Sequence, residues 1–261
     1  LFTALIFVPL LLIMAPGQIL RWKRDQLGRI KWISVFAGAS ALVIALLLGF
    51  LLPQEFSLLL AAGAFLALWI LMHGVSDLRS QTQKADSFYS GLKRLSLSYW
   101  GMQLGHFGVA VCVVGVTFSV ALSDSRDVRL APGDSFDLNG YHFELREYRQ
   151  VRGPNYMADE GVVEVSRDGR RVVDIFPQKR HYTASGQTMT EAGIRGNLWR
   201  DLYVSMGEPL QGGAWAVRLH VKPFIRWIWY GAMLMAFGGL LAVADKRYHR
   251  RKATTDSGAI S

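Results

Sequence analysis

The chain has 261 residues, 51% of them hydrophobic, and a formal net charge of +9. Its apolar residues are gathered into blocks separated by basic stretches, which fits a chain crossing a membrane several times and excludes one water-soluble core. The charge does not call for a nucleic-acid partner: residues 123–222 hold fourteen Lys/Arg and fourteen Asp/Glu, so the excess lies in short stretches flanking apolar runs and reports topology.

Residues 1 to about 15, LFTALIFVPLLLIMA, read as a first span, ended by Pro16 and Gly17. The chain begins inside this apolar run with no basic n-region, so it is expected to start without a signal peptide and to be the C-terminal part of something longer. The loop RWKRDQLGRIK carries five Lys/Arg against one Asp, and short basic loops stay in the cytoplasm. Trp32 to Leu52 is predicted to pass outward, Leu52-Pro53-Gln54-Glu55 to turn, and Phe56 to about Val75 to return. Asp77 to Arg94 reads as a polar inner loop, Leu97 to Leu122 as a fourth span, and Phe224 to Val243 as a fifth that brings KRYHRRK back inside. On this count all three basic stretches fall on one face. Tyr99 and Trp100 at one end of the fourth span, and Trp227, Trp229 and Tyr230 at the start of the fifth, read as interfacial anchors.

The segment between the last two spans alternates polar and apolar residues with period two. Ser135–Leu138, Asn139-Gly140 and Tyr141–Arg149 form one predicted hairpin; Gly161–Ser166, Asp168-Gly169 and Arg171–Phe176 form a second. Strands are also expected at Leu198–Met206 and Ala214–Val221. The expected fold is a polytopic α-helical membrane protein of about five spans with an inserted antiparallel β domain, barrel or sandwich. Its divisions are 1–122 for four spans with basic loops, 123–222 for the β domain, and 223–261 for the last span and basic tail.

No phosphate-binding loop, nucleophile elbow, zinc-protease helix or calcium loop is found. The single cysteine, Cys112, excludes a disulfide or a zinc–cysteine site within the chain. The polar cluster Pro177-Gln178-Lys179-Arg180-His181-Tyr182 reads first as a solvated loop and second as a docking surface for a partner protein or for haem propionates.

His106 is the single ionisable side chain of the fourth span, roughly 13 Å along it from Leu97. Positions 101, 105, 108, 112, 115 and 119 read Gly, Gly, Gly, Cys, Gly, Ser, a stripe of small residues that admits another helix or a flat ligand. Two readings of the histidine stay open: interhelical glue, or an axial ligand to haem iron. His73 is expected about six residues, or roughly 9 Å, off the level of His106, so an opposing ligand is expected from helices outside this chain.

The run RLSLSYWGMQLGHFGVAVCVVGV, followed by GPNYMA, PQKRHYTASGQTMTEAGI, RDLYVSMGE and WAVRLHVKPFIRWIWYGAMLMAFGG, resembles the C-terminal half of the CcmF family. These are haem lyase subunits of the bacterial cytochrome c maturation system. The resemblance implies a multi-pass bacterial inner-membrane protein with its β domain in the periplasm. It also implies that haem is taken from the chaperone CcmE and attached to apocytochrome c, which CcmH/CcmI-type subunits deliver. The Leu-Gly-His-Phe-Gly context places on His106 the family role of axial ligand to a transmembrane haem b. The family's tryptophan-rich motif, its flanking histidines and its second haem ligand belong to an N-terminal half and are absent here, so activity is expected only with that half present. The rival reading is a non-enzymatic membrane anchor or assembly factor displaying the β domain.

Overall fold

The computed structural model describes residues 2–20, 27–52, 55–83 and 85–245. The chain divides into a helical unit, residues 1–121 and 227–261, and a β unit, Leu122–Arg226.

The helical unit contains α1 (Phe2–Gly17), α2 (Leu27–Leu51), α3 (Leu58–Thr82), α4 (Phe88–Arg94), α5 (Leu97–Leu122) and α6 (Trp227–Val243). Lys31–Leu51, Leu58–Thr82 and Leu97–Leu122 are long and apolar enough to cross a membrane; α1 and α6 are shorter apolar helices. All five apolar helices stand where spans were predicted, and three of them meet the length. The basic residues of 21–25, Pro53, Lys84 and the tail from 246 lie outside the described residues.

Small residues set the packing. Ala37, Ala41 and Ala45 form a buried stripe on α2, and Ala61, Ala64 and Ala67 are buried on α3, while Trp32, Phe36 and Phe50 turn outward. That is the distribution for helices in lipid, where close backbone approach replaces hydrophobic collapse. On α5, a Cβ added at Gly101 would run into the carbonyl of Gly238; one at Gly108 would lie 2.7 Å from the carbonyl of Gly231, and one at Gly115 2.6 Å from the amide of Ile228. Most of the small-residue stripe is therefore the seam with α6. At the far end of α6 the Asp245 carboxylate accepts from the Ser98 amide at 2.9 Å, satisfying one orphan donor at the start of α5.

The predicted polar loop from Asp77 to Arg94 is corrected. Helix α3 continues through Asp77 to Thr82, ended by a Gln83 amide bond to the Arg79 carbonyl. Ser87 and Ser90 then form a reciprocal capping box that starts α4. Asp77 is stable inside a helix because its carboxylate is satisfied there, as described below.

The β unit has ten strands. Sheet one runs β1 (Asp124–Leu130), β10 (Trp215–Pro223), β9 (Arg200–Pro209), β8 (Gly193–Gly196); sheet two runs β2 (Ser135–Leu138), β3 (Tyr141–Arg152), β4 (Tyr156–Arg167), β6 (Gln178–Tyr182), β7 (Thr188–Glu191), with β5 (Arg170–Ile175) also on β4. Every pairing is antiparallel. Val204, Met206, Val217 and Leu219 from sheet one meet Phe143, Leu145, Val163 and Val165 from sheet two in one buried core, which makes the unit a sandwich. Both predicted hairpins form. Asn139 and Gly140 have φ of 49° and 75°, Asp168 and Gly169 of 51° and 71°, the positive pair that a two-residue type I′ turn requires.

The expected solvated loop at residues 177–182 is instead mostly strand β6. Lys179 is buried within it and donates to the Gly207 carbonyl at 3.0 Å, with the Glu208 carboxylate at 2.6 Å. A buried ammonium is tolerable only with such partners.

Candidate functional site

Among the described residues the helical unit holds two imidazoles, one buried and one half-buried, that begin alike. His106 donates from Nδ1 to the Met102 carbonyl at 2.8 Å, and His73 from Nδ1 to the Trp69 carbonyl at 2.8 Å. Each bond is to the carbonyl one helical turn back, and each fixes the tautomer with the proton on Nδ1 and a lone pair on Nε2. The two then diverge. His73 is fully buried, its Nε2 accepts from the Ser34 hydroxyl at 3.1 Å, and its ring stands edge-on to Trp69 at 4.2 Å. It is interhelical glue between α2 and α3. His106 is half-buried, and among the described residues its Nε2 has no hydrogen-bond partner within the chain.

His106 lines two hollows. One, of about 460 Å³, is a groove bordered by Gly101, Met102, Gly105, Met235, Gly238 and Gly239. Added Cβ atoms at Gly105 and Gly239 would meet nothing within 4 Å, so these two glycines, unlike those of the seam, open onto free space. Helical glycine costs about 1 kcal/mol relative to alanine, and no packing among the described residues explains it at these positions. A neutral imidazole offering a lone pair beside a flat, glycine-lined apolar groove can ligate a metal centre carried by a planar ligand. The residues fit an axial-ligand role.

The second hollow, of about 270 Å³, lies among Gln18, Ile70, Gly74, Trp100, Gln103 and Phe107. The sequence reading missed a polar cluster beside it. Asp77 accepts from the Tyr99 hydroxyl at 2.7 Å and from Gln103 Nε2 at 3.0 Å, and Gln81 reaches its other oxygen at 3.4 Å. Gln18 donates to the Ile70 carbonyl at 3.4 Å, while its buried Oε1 has no partner among the described residues. The missed signal was the spacing Asp77 to Gln81, one turn apart on a helix continuing past His73.

The levels of the two histidines also need correcting. Gly63 lies against Thr117 and Gly74 against Gln103, so α3 and α5 run in opposite directions with residue 73 opposite about residue 104. His73 and His106 are thus roughly 3 Å apart in level instead of 9 Å. What distinguishes His73 from His106 is that both of its ring nitrogens are occupied, not its depth.

In the β unit the charged cluster alternates along β6: Lys179 is buried, Arg180 half-buried and His181 exposed. Arg180 donates to the Gln178 side chain at 2.8 Å and lies 4.5 Å over the Tyr156 ring, and His181 bonds the Thr188 hydroxyl at 2.8 Å. Burial would raise Glu160, yet hydrogen bonds from Gln178 and Arg149, with the Arg149 charge, hold its carboxyl below the usual carboxylate range. Burial, then the charges of Lys222 and Arg218, push His220 below 6.5.

The family model that matches this chain is the CcmF C-terminal beta-sandwich, over residues 121–223, nearly coincident with the β unit. The cytochrome c-type biogenesis protein CcmF of Pseudomonas fluorescens is 45% identical over 252 residues, covering 93% of this chain and 37% of that protein. The chain belongs to the CcmF family. CcmF of Escherichia coli K12 is 39% identical over 246 residues, again across 94% of this chain and 37% of the relative. A solved structure named cytochrome c haem lyase CcmF superposes with a TM-score of 0.71 over 93% of this chain and 39% of that one; at 20% identity it speaks to the fold alone. The chain therefore spans a little over a third of the length of these CcmF proteins, and the described part is the C-terminal, sandwich-bearing part.

Proposed function

We propose that this CcmF-family chain is the C-terminal portion of a cytochrome c haem lyase, and that His106 supplies one axial ligand to a transmembrane haem b. The observation that carries the reading is the pairing of a tautomer-fixed Nε2 with an open glycine groove beside it. When bound, haem supplies the iron chemistry. The protein's part is to hold the imidazole: the Met102 carbonyl orients the ring and keeps the proton on Nδ1, and the apolar walls exclude water. The opposite ligand comes from the N-terminal part of the protein. The same reading puts the chain in the bacterial inner membrane with the sandwich in the periplasm. There the sandwich would meet the haem chaperone CcmE, CcmH/CcmI-type subunits and apocytochrome c, and activity would require the N-terminal half. The divisions 1–122, 123–222 and 223–261 are proposed to serve as ligand-bearing bundle, partner-facing domain and closing helix with cytoplasmic tail.

The test is an absorption spectrum of the chain co-purified with the N-terminal part. A low-spin b-type spectrum is expected, lost in His106→Ala and kept in His73→Ala. A colourless protein would favour the non-enzymatic anchor, and a spectrum that survives His106→Ala would remove this histidine from the role.

A further inference from the structure

Two strands connect sheet one through the chain to the membrane helices. Strand β1 begins at Asp124, two residues after α5 ends at Leu122, and β10 ends at Pro223, four residues before α6 begins at Trp227. Asp124 is paired with Val221, so both passages to the helices leave from the same end of adjacent strands. The register carries that end across the sheet: Pro223 pairs with Arg200, the first residue of β9, and Asp201 pairs with Gly196, the last of β8. The connection between β8 and β9, Asn197-Leu198-Trp199, therefore lies at the junction end as well.

This connection is held firmly. The Asn197 side chain accepts from the amides of Trp199 and Arg200 at 2.9 and 3.0 Å, and the Asn197 amide donates to the Arg200 carbonyl at 2.9 Å. The Phe224 amide donates to the Trp199 carbonyl at 2.8 Å, the two rings stand edge to face at 6.1 Å, and Arg226 closes on Asp201 at 2.7 Å. Yet Leu198 is 51% and Trp199 56% exposed, with exposed Arg195 on the adjoining strand. Phe224 is three residues from the first turn of α6, a reach of at most about 10 Å. That turn carries Trp227, Trp229 and Tyr230, side chains suited to the headgroup layer.

We propose that Leu198 and Trp199 are a membrane-surface anchor, dipping into the headgroup layer on the side where the sandwich is displayed, with Arg195 facing lipid phosphate. A tryptophan and a leucine that stay more than half exposed on a rigid turn leave apolar surface in water and bury it at the interface. The occupant is the bilayer itself, since the same strand end leads within a few residues into a membrane helix.

The experiment uses the full chain in phosphatidylethanolamine/phosphatidylglycerol vesicles, in a Cys112→Ser background. An environment-sensitive thiol label is placed at Leu198→Cys or at Leu210→Cys. Leu210 is also exposed, at 41%, but follows the opposite end of β9, roughly 30 Å away. Headgroup spin-labelled lipid is expected to quench the 198 label several-fold more than the 210 label, and iodide to do the reverse. Adding Trp199→Gln is expected to raise iodide quenching at 198 several-fold. Equal quenching at the two positions, iodide access at 198 matching 210, or no effect of Trp199→Gln each overturns the proposal; a protein-covered loop would show protection from both quenchers and overturns it too.

Discussion

At the scale of single residues, the second ring nitrogen decides what an intramembrane histidine does. His73 has given both nitrogens to Trp69 and Ser34, whereas His106 has given one. The glycines divide in the same manner, and this yields a paired prediction. Gly108→Ala forces a methyl against the Gly231 carbonyl and should cost about 1–3 kcal/mol, read as a lower unfolding midpoint in detergent. A Cβ at Gly105 meets nothing within 4 Å among the described residues, so Gly105→Ala should leave the midpoint in place, while Gly105→Leu, whose branch extends into the groove, should lose the b-type spectrum. If Gly105→Leu keeps the spectrum, the groove is not where the planar ligand lies. Two groups in the β unit contribute to its acid response. His220 has a folded-state value below 6.5, so the unfolded chain takes up the proton first and stability falls as pH drops through and below 6.5. Glu160 is held low, so its contribution is present above the ordinary carboxylate value and is lost as pH falls through the depressed folded value. In urea titrations across pH, His220→Gln should flatten the upper part of this fall and Glu160→Gln the lower.

Elements differ in how far local chemistry determines them. The two hairpins were legible because Asn139-Gly140 and Asp168-Gly169 carry their backbone preference in their own side chains, and the flanking residues alternate. Gly140 sits at φ 75° with open space around it, so Gly140→Ala should cost about 1–2 kcal/mol by strain alone, measurable as a shift in denaturant midpoint. Strand β6 was not legible. Its buried position is filled by Lys179, and what makes that tolerable, the Gly207 carbonyl and Glu208, lies about thirty residues later in sheet one. The end of α3 failed for the same reason. Asp77 looks like a loop residue until Tyr99 and Gln103 arrive from α5 to satisfy it. Asp77→Ala should strand those donors at a cost of about 1–3 kcal/mol, again read from the unfolding midpoint.

For the whole molecule, the order of apolar blocks and the neutral segment between the last two were enough to lay out the apolar helices and an inserted β segment, while the family was legible only in the runs around His106, within that segment and on into α6. Relative depth was not readable, because counting from a basic loop assumes the helix stops where polarity begins; α3 runs on to Thr82, and that displaced the reckoning for His73. The β unit has its own core and its ten strands pair with one another, so residues 122–226 produced alone should fold. Circular dichroism dominated by strand is the expected result, and a helical spectrum would refute it. The pairing of Asp124 with Val221 has a topological corollary. The sandwich leaves and rejoins the rest of the chain through neighbouring strands, about 5 Å apart. It is thus an excisable cassette: a short glycine-serine bridge could replace it, separating the assembly of the bundle from that of its insert.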